Sequence, residues 1–394
     1  MTRHFDMAIN PMAKKEFDLI VYGATGFTGR LVAEYLAQRG ISGWAMAGRN
    51  TAKLAEVRDL IGAPKDTPLV AADAANPASL KTMCERTRCV LTTVGPYQLY
   101  GSDLVAACAA AGTDYLDLNG EPAWARQMID AHEAAGKKSG ARIILSAGFD
   151  SIPFDLGVWY LQQEAIKKFG SPAPRVKGRV RKMQGGASGG TMASMKATLK
   201  ASFKDPSILG LLNNPFALTP GFEGPSQPSG MVPEYDKELG VWAAPFVMAP
   251  INTKNVHRTN MLLGHPYGRD FVYDEMMLTT LGEAARALVD AAAKANPFTG
   301  KGLKPGDGPS KEERETGFYD VMFTGIYPDG RKIVTSVYGD RDPGYGSTSK
   351  MISEAALALL ETKSAGGVFT PGGLIAAPLV ERLQKFAGLT FKVE

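Results

Sequence analysis

The stretch that most restricts the fold of this chain is Phe17 to Arg30, FDLIVYGATGFTGR. An unbroken apolar run, Leu19-Ile20-Val21-Tyr22, stops at Gly23, and glycine recurs at Gly26 and Gly29. A short apolar run ended by glycine predicts a strand buried on both faces of a parallel sheet. Leu31, Val32, Tyr35 and Leu36 then follow at helical spacing as far as Gly40, which is placed to end the helix. The glycines therefore fall on a strand-to-helix turn. Such a turn offers free backbone N–H groups and the positive end of a helix dipole to a dinucleotide pyrophosphate. One glycine turns tightly, one lets the phosphate approach, and one lets helix pack on strand. The candidate cofactor contacts here are Gly23, Ala24, Thr25, Gly26, Phe27, Thr28 and Gly29.

The next element points to one dinucleotide. Trp44 to Ala47 reads as the second strand, and Arg49 follows at its end, twenty residues after Gly29. An acidic residue there would hold the ribose 2′-hydroxyl of NAD, whereas arginine accommodates the 2′-phosphate of NADP. No acid stands at that turn, and Lys53 lies one helical turn further on. The alternative, an ordinary surface arginine, leaves that position unexplained. NADP(H) is the expected cofactor.

With 394 residues the chain is long enough for two domains with real cores. A formal charge of +4 is too mild to argue for nucleic acid. Three cysteines without metal-site companions suit a reduced, cytoplasmic protein. Residues 1–16 carry no apolar h-region and read as a loose extension. No run of about 18 apolar residues predicts a membrane span.

From 17 to about 150, strands alternate with helices, which predicts right-handed crossovers and a doubly wound parallel sheet. Further strands are expected at Pro68–Ala72, Cys89–Val94, Tyr115–Leu118 and Arg142–Leu145. After Phe169 the rhythm changes. Arg175 to Met183 alternates, with Arg175, Lys177, Arg179 and Arg181 on one face, as in a half-buried antiparallel strand. Those cations read as a solvated edge face that discourages aggregation; the competing reading is attraction of an acidic carrier protein or coenzyme A phosphates. Gly185 to Gly190 predicts a turn into a helix from Met192 to Phe203. Pro206 to Pro250 holds eight prolines and several aromatics, and is expected to lack regular structure and to act as a lid. Strands resume near Phe271–Met277 and in a hairpin from Tyr319 to Val337, and two helices close the chain. The division expected is a nucleotide domain at 17–150, a substrate domain with a mixed or antiparallel sheet at 151–344, with its insert at 205–250, and C-terminal helices at 345–394 that pack back on the first domain.

GATGFTGR, AGRN, VGPYQLYG, GTDYLDLNGE, AGFDSIPFDLG and GGVFTPGG together resemble the saccharopine dehydrogenase-like oxidoreductases, and within them the trans-acting enoyl reductase branch. The resemblance spans nearly the whole chain from Phe17. It implies an NADP-binding Rossmann domain, a mixed-sheet substrate domain, and reduction of an enoyl double bond on a lipid or polyketide intermediate. The substrate is then a small-molecule or carrier-bound acyl group, with peripheral membrane contact compatible and a homo-oligomer expected. Other readings are an imine reductase of amino-acid metabolism, a non-catalytic NADP-binding regulator, and a lipid-binding protein.

Other chemistries fare worse. None of the thirteen tyrosines has lysine four residues later, so a short-chain dehydrogenase site is absent. Gly186-Ala187-Ser188-Gly189-Gly190 matches G-x-S-x-G, but a dinucleotide fold leaves a hydrolase unexplained. The four histidines are scattered, so no catalytic metal is expected. In an open α/β sheet the site lies beyond the carboxyl ends of the strands. Val94, Gly95 and Pro96 are expected to line the cofactor, and Asp73, ending the third strand, to meet the adenine. Tyr97 is the first choice for proton donor or oxyanion partner, because its hydroxyl can donate at neutral pH; a ring packed beside the nicotinamide is an equal alternative. Asp117, Glu121, Asp150 and Ser151 are the substrate-side candidates. Asp117 and Glu121 alternatively satisfy loop backbone, and Asp150 or Ser151 caps the helix that follows.

Overall fold

A computed structural model describes residues 15–185, 194, 197, 205, 207–279 and 308–394. Strand β1 (Phe17–Tyr22) is buried along nearly its whole length because both faces are covered. Leu19 and Val21 enter one hydrophobic core, while Phe17, Ile20 and Tyr22 enter another on the opposite face. Each such side chain contributes about 1.5–3 kcal/mol by leaving water, so β1 anchors two core layers at once.

Around it stand β2 (Trp44–Gly48), β3 (Leu69–Ala71), β4 (Thr87–Thr92), β5 (Asp114–Leu116) and β6 (Arg142–Ile144). The sheet is completed by β13 (Gly367–Phe369), in the order β13-β6-β5-β4-β1-β2-β3, every pair parallel. The strand order reverses between β1 and β4, which is where an open sheet of this kind opens its ligand crevice. The expected doubly wound fold is present, with β13 as a seventh strand contributed from far along the chain.

The second sheet is mixed, in the order β14-β12-β11-β7-β10-β9-β8. Its members are β7 (Arg175–Gln184), β8 (Glu234–Asp236), β9 (Val241–Pro245), β10 (Val272–Leu278), β11 (Phe318–Ile326), β12 (Lys332–Gly339) and β14 (Leu389–Val393). The helix Ile152–Phe169 carries the chain from one sheet to the other. After the helix Thr348–Glu361 the chain enters the first sheet as β13, and after the helix Pro371–Arg382 it returns to the second as β14. Glu354 fastens this return. It is fully buried, accepts from the Tyr35 hydroxyl at 2.7 Å, and pairs with Arg39 at 3.2 Å and Arg382 at 2.8 Å.

Two expectations are corrected. The first concerns β7, which is no edge strand: it pairs with β11 antiparallel and with β10 parallel. Its cations are not a solvated face either. Arg179 is fully buried and reaches Asp274 at 2.7 Å, Asp236 at 3.4 Å and Glu234 at 3.4 Å. Arg175 pairs with Asp274, Lys177 with Asp236 and Glu238, and Arg181 with Asp320 and Glu394. Burial pushes the Asp236 carboxyl up, but Lys177 and Arg179 bring it below its ordinary value. The alternation does form a strand; the acids that neutralise it come from β8, β10, β11 and the C-terminus, which no local window contains. Charge neutralised within the sheet also leaves little to attract a carrier.

The second correction concerns Pro206 to Pro250. The segment holds a helix, Ser207–Asn213, and the strands β8 and β9. Its prolines mark boundaries: Pro233 precedes β8, Pro245 ends β9, and Pro250 stands in the first turn of the helix Ala249–Leu262. A proline costs little at those positions, where its missing N–H is not needed. The expected turn at 186–190 and helix from Met192 to Phe203 lie outside the described residues, apart from 194 and 197.

Candidate active site

The glycine turn divides its labour as the pattern requires. Gly23 has φ +88°, and a Cβ there would lie 2.7 Å from Val94 Cγ2 and 2.9 Å from Thr93 Oγ1. A Cβ on Gly29 would lie 2.1 Å from the Gly23 carbonyl oxygen, so only glycine lets the helix sit this close to β1. Gly26 is exposed, and a Cβ there meets only the Gly23 oxygen, at 3.3 Å. That open side is the one a phosphate can approach. The helix Phe27–Gln38 begins at Gly26 with no side-chain cap and no acid in its first turn. Its orphan N–H groups and dipole are therefore free to meet an anion.

Arg49 and Lys53 lie on the β2 side of the switch point, both exposed and neither in an ion pair among the described residues. Asn50 holds the turn between them, its side chain accepting from the Lys53 N–H at 3.0 Å. Asp73 sits beyond β3, where its carboxylate accepts from the Ala75 N–H at 3.0 Å. These residues suit a 2′-phosphoadenosine end of a cofactor. If Arg49 clamps the 2′-phosphate, Arg49→Ala will weaken NADPH binding by about 1.5–3 kcal/mol and leave NADH nearly unchanged. Titration of both cofactors by fluorescence checks this, and equal weakening would make Arg49 only structural.

Across the switch point, the ends of β4, β5 and β6 interlock. Tyr97 is buried; its hydroxyl donates to the Thr92 carbonyl at 3.2 Å and accepts the Leu118 N–H at 3.1 Å. Its ring packs on Trp124, with centroids 5.6 Å apart. Burial, more than nearby Asp117, pushes its phenol well above the usual value. Glu121 accepts the N–H groups of Tyr97 at 3.0 Å and Gln98 at 2.8 Å. Asp117 accepts from the Ser146 N–H at 2.8 Å, the Asn119 side chain at 2.6 Å and the Tyr115 hydroxyl at 3.0 Å. Its carboxyl rises to about 6, because burial outweighs those bonds. Ser146 has φ +62°, and its N–H bond to Asp117 holds that left-handed backbone in place. Asp117 and Glu121 thus serve loop backbone in this structure.

Asp150 and Ser151 differ from their expected capping role. Ser151 occupies the N-cap position of the helix Ile152–Phe169 without a side-chain capping bond. Its hydroxyl instead donates to the Asp150 carbonyl at 2.7 Å and accepts from Asn255 at 2.5 Å. Asp150 remains half-buried and caps nothing.

The sequence reading missed what the second half of the chain brings to this crevice. Phe27 of the glycine turn meets Tyr345 edge to face, centroids 5.2 Å apart, with the Arg314 guanidinium 5.5 Å over the same ring. Asp342 shapes that partner turn by accepting the Gly346 N–H at 2.6 Å. Thr348 accepts the Phe149 N–H at 3.0 Å. The helix Ala249–Leu262 is buried and polar, supplying Asn255 to Ser151 and Thr259 to Thr370 at 2.5 Å. The only sequence signal was a run rich in Asn, Thr, His and Arg, which resembles a surface. Among the described residues, no three His, Cys, Asp or Glu side chains are grouped to hold a metal ion, and no helix is long and apolar enough to cross a membrane.

A parallel sheet with this turn, an open helix end and the Arg49–Lys53 pair define an NADP-binding oxidoreductase; residues 19–144 match the family described as the saccharopine dehydrogenase NADP binding domain. The trans-acting enoyl reductase of Mycobacterium ulcerans is 36% identical over 408 residues, spanning 94% of this chain and 96% of its own. A Mycobacterium tuberculosis protein given that name provisionally is 40% identical over 400 residues, with the same coverage. This chain belongs to the trans-acting enoyl reductase family, as its motifs implied. Saccharopine dehydrogenase of Saccharomyces cerevisiae shares the fold, with a TM-score of 0.54 at 13% identity over 96% of this chain and 99% of that one.

Proposed function

We propose that this protein uses NADPH to reduce the enoyl C=C bond of a lipid or polyketide-type acyl substrate. The observation that carries this reading is the identity of 36–40% to trans-acting enoyl reductases along 94% of the chain, on a fold whose glycine turn and Arg49 suit NADPH. The cofactor supplies hydride to the β-carbon. The chain's own residues do the rest. Residues 23–29 hold the pyrophosphate through backbone N–H groups, Arg49 and Lys53 take the 2′-phosphate, Asp73 borders the adenine, and Val94, Gly95 and Pro96 back the nicotinamide. Residues 17–150 form the cofactor domain, 151–344 the substrate domain, and 345–394 return to the first.

The acyl group is delivered on a carrier or as a small-molecule thioester to a cytoplasmic homo-oligomer. Nothing favours the imine-reducing alternative beyond a fold shared at 13% identity. Purified protein given NADPH and medium- or long-chain enoyl thioesters is expected to oxidise NADPH, and to ignore pairs of 2-oxoacid and amine. Turnover of the second set alone would overturn the assignment.

A further inference from the structure

Asp150 stands apart from the other carboxylates of the crevice. Asp117 and Glu121 spend their oxygens on neighbouring backbone and side chains. Among the described residues the Asp150 carboxylate has no hydrogen-bond or ion-pair partner, and it caps no helix. It lies in the loop between β6 and the helix Ile152–Phe169, on the β4–β6 side of the switch point. Its Oδ2 is 3.7 Å from the point a Cβ on Gly120 would occupy, and the methyl of Met248 is 3.3 Å from the same point. Gly120 therefore lets one free carboxyl group and one apolar side chain come up close to its backbone.

We propose that Asp150 delivers the proton to the substrate α-carbon once hydride has reached the β-carbon, a role that rests on the enoyl-reductase reading. Hydride addition moves the C=C electron pair onto the α-carbon and thioester carbonyl as an enolate. The Asp150 O–H bond then breaks, its proton forms the new α-C–H bond, and the carboxylate regains a proton from water. Each double bond consumes one hydride from the reduced nicotinamide and one proton from solvent. Burial raises the Asp150 carboxyl from 3.8 to about 6, so part of it holds a proton near neutrality. Tyr97 is close enough to feel the Asp150 charge, and Asp117 and Glu121 act on that same phenol; the rise of Asp150 itself comes from burial. Tyr97 cannot take the same part without giving up its bond to the Thr92 carbonyl.

The test compares wild type, Asp150→Asn, Asp150→Ser and Asp150→Glu with a medium-chain enoyl thioester of N-acetylcysteamine. Wild-type kcat is expected to fall as pH rises through about 6, since the protonated acid is the active form. Asp150→Asn should keep its melting temperature and NADPH affinity, lose about 10²–10⁴ in kcat, and lose that pH dependence. Asp150→Glu should restore part of the rate. A readout free of turnover is the carboxyl resonance of 13C-aspartate-labelled protein: the signal missing from the variants should titrate near 6, not near 3.8. Titration near 3.8, or Asp150→Asn with kcat within threefold and an unchanged pH profile, overturns the proposal. Should Asp150→Asn fail to fold, Asp150→Ser and the titration decide on the same criteria. Absence of enoyl turnover by wild type would instead defeat the enoyl-reductase reading, and the role of Asp150 with it.

Discussion

Gly26→Ala is expected to weaken NADPH binding at least 30-fold, about 2 kcal/mol, while leaving the cofactor-free protein folded. Gly26 has φ −77°, which alanine adopts freely, and a new Cβ meets only the Gly23 oxygen at 3.3 Å. The cost falls on the ligand, because that methyl occupies the side from which a pyrophosphate must reach the backbone N–H groups. Gly29→Ala should behave differently. Its Cβ would sit 2.1 Å from the Gly23 oxygen and 2.8 Å from Thr93 Oγ1, so the helix must move off β1. Overpacking of this kind costs about 1–3 kcal/mol before any ligand is present, and NADPH binding should be lost together with thermal stability. Melting curves and fluorescence titration of the two variants separate these outcomes. Equal effects on stability would mean that Gly26 is a packing residue too.

Arg179→Ala should cost about 3–5 kcal/mol, because removing one partner of a buried ion pair leaves uncompensated charge behind. The stranded groups are Asp274 and Asp236, whose side chains are 2% and 0% exposed. Arg181→Ala is the comparison. Arg181 and its partners Asp320 and Glu394 are each about a quarter exposed, so about 1 kcal/mol is expected, diminishing in high salt. The Arg179 effect should persist at 1 M salt, roughly, since that pair is shielded from counterions. Denaturant midpoints of the two variants at low and high salt check both statements. A small, salt-sensitive loss for Arg179→Ala would return it to the solvated face first expected.

What the sequence by itself determined lies close together along the chain. Gly23, Gly26 and Gly29 are constrained by one turn, and Arg49 by the single strand after it, so spacing alone indicates phosphate and 2′-phosphate contacts. The alternating strands and helices up to 150 likewise imply a parallel sheet, since each strand must bury both faces locally. Tertiary structure decided the rest. Arg179 and Asp274 are 95 residues apart, Ser151 and Asn255 are 104 apart, and Tyr35 and Glu354 are 319 apart. A cation pattern on a strand has the same period whether its partner is water or a buried acid, and only the neighbouring strands distinguish the two. The same holds for carboxylates: Asp117, Glu121 and Asp150 look alike in sequence, and what separates them is which backbone N–H groups the fold brings within reach.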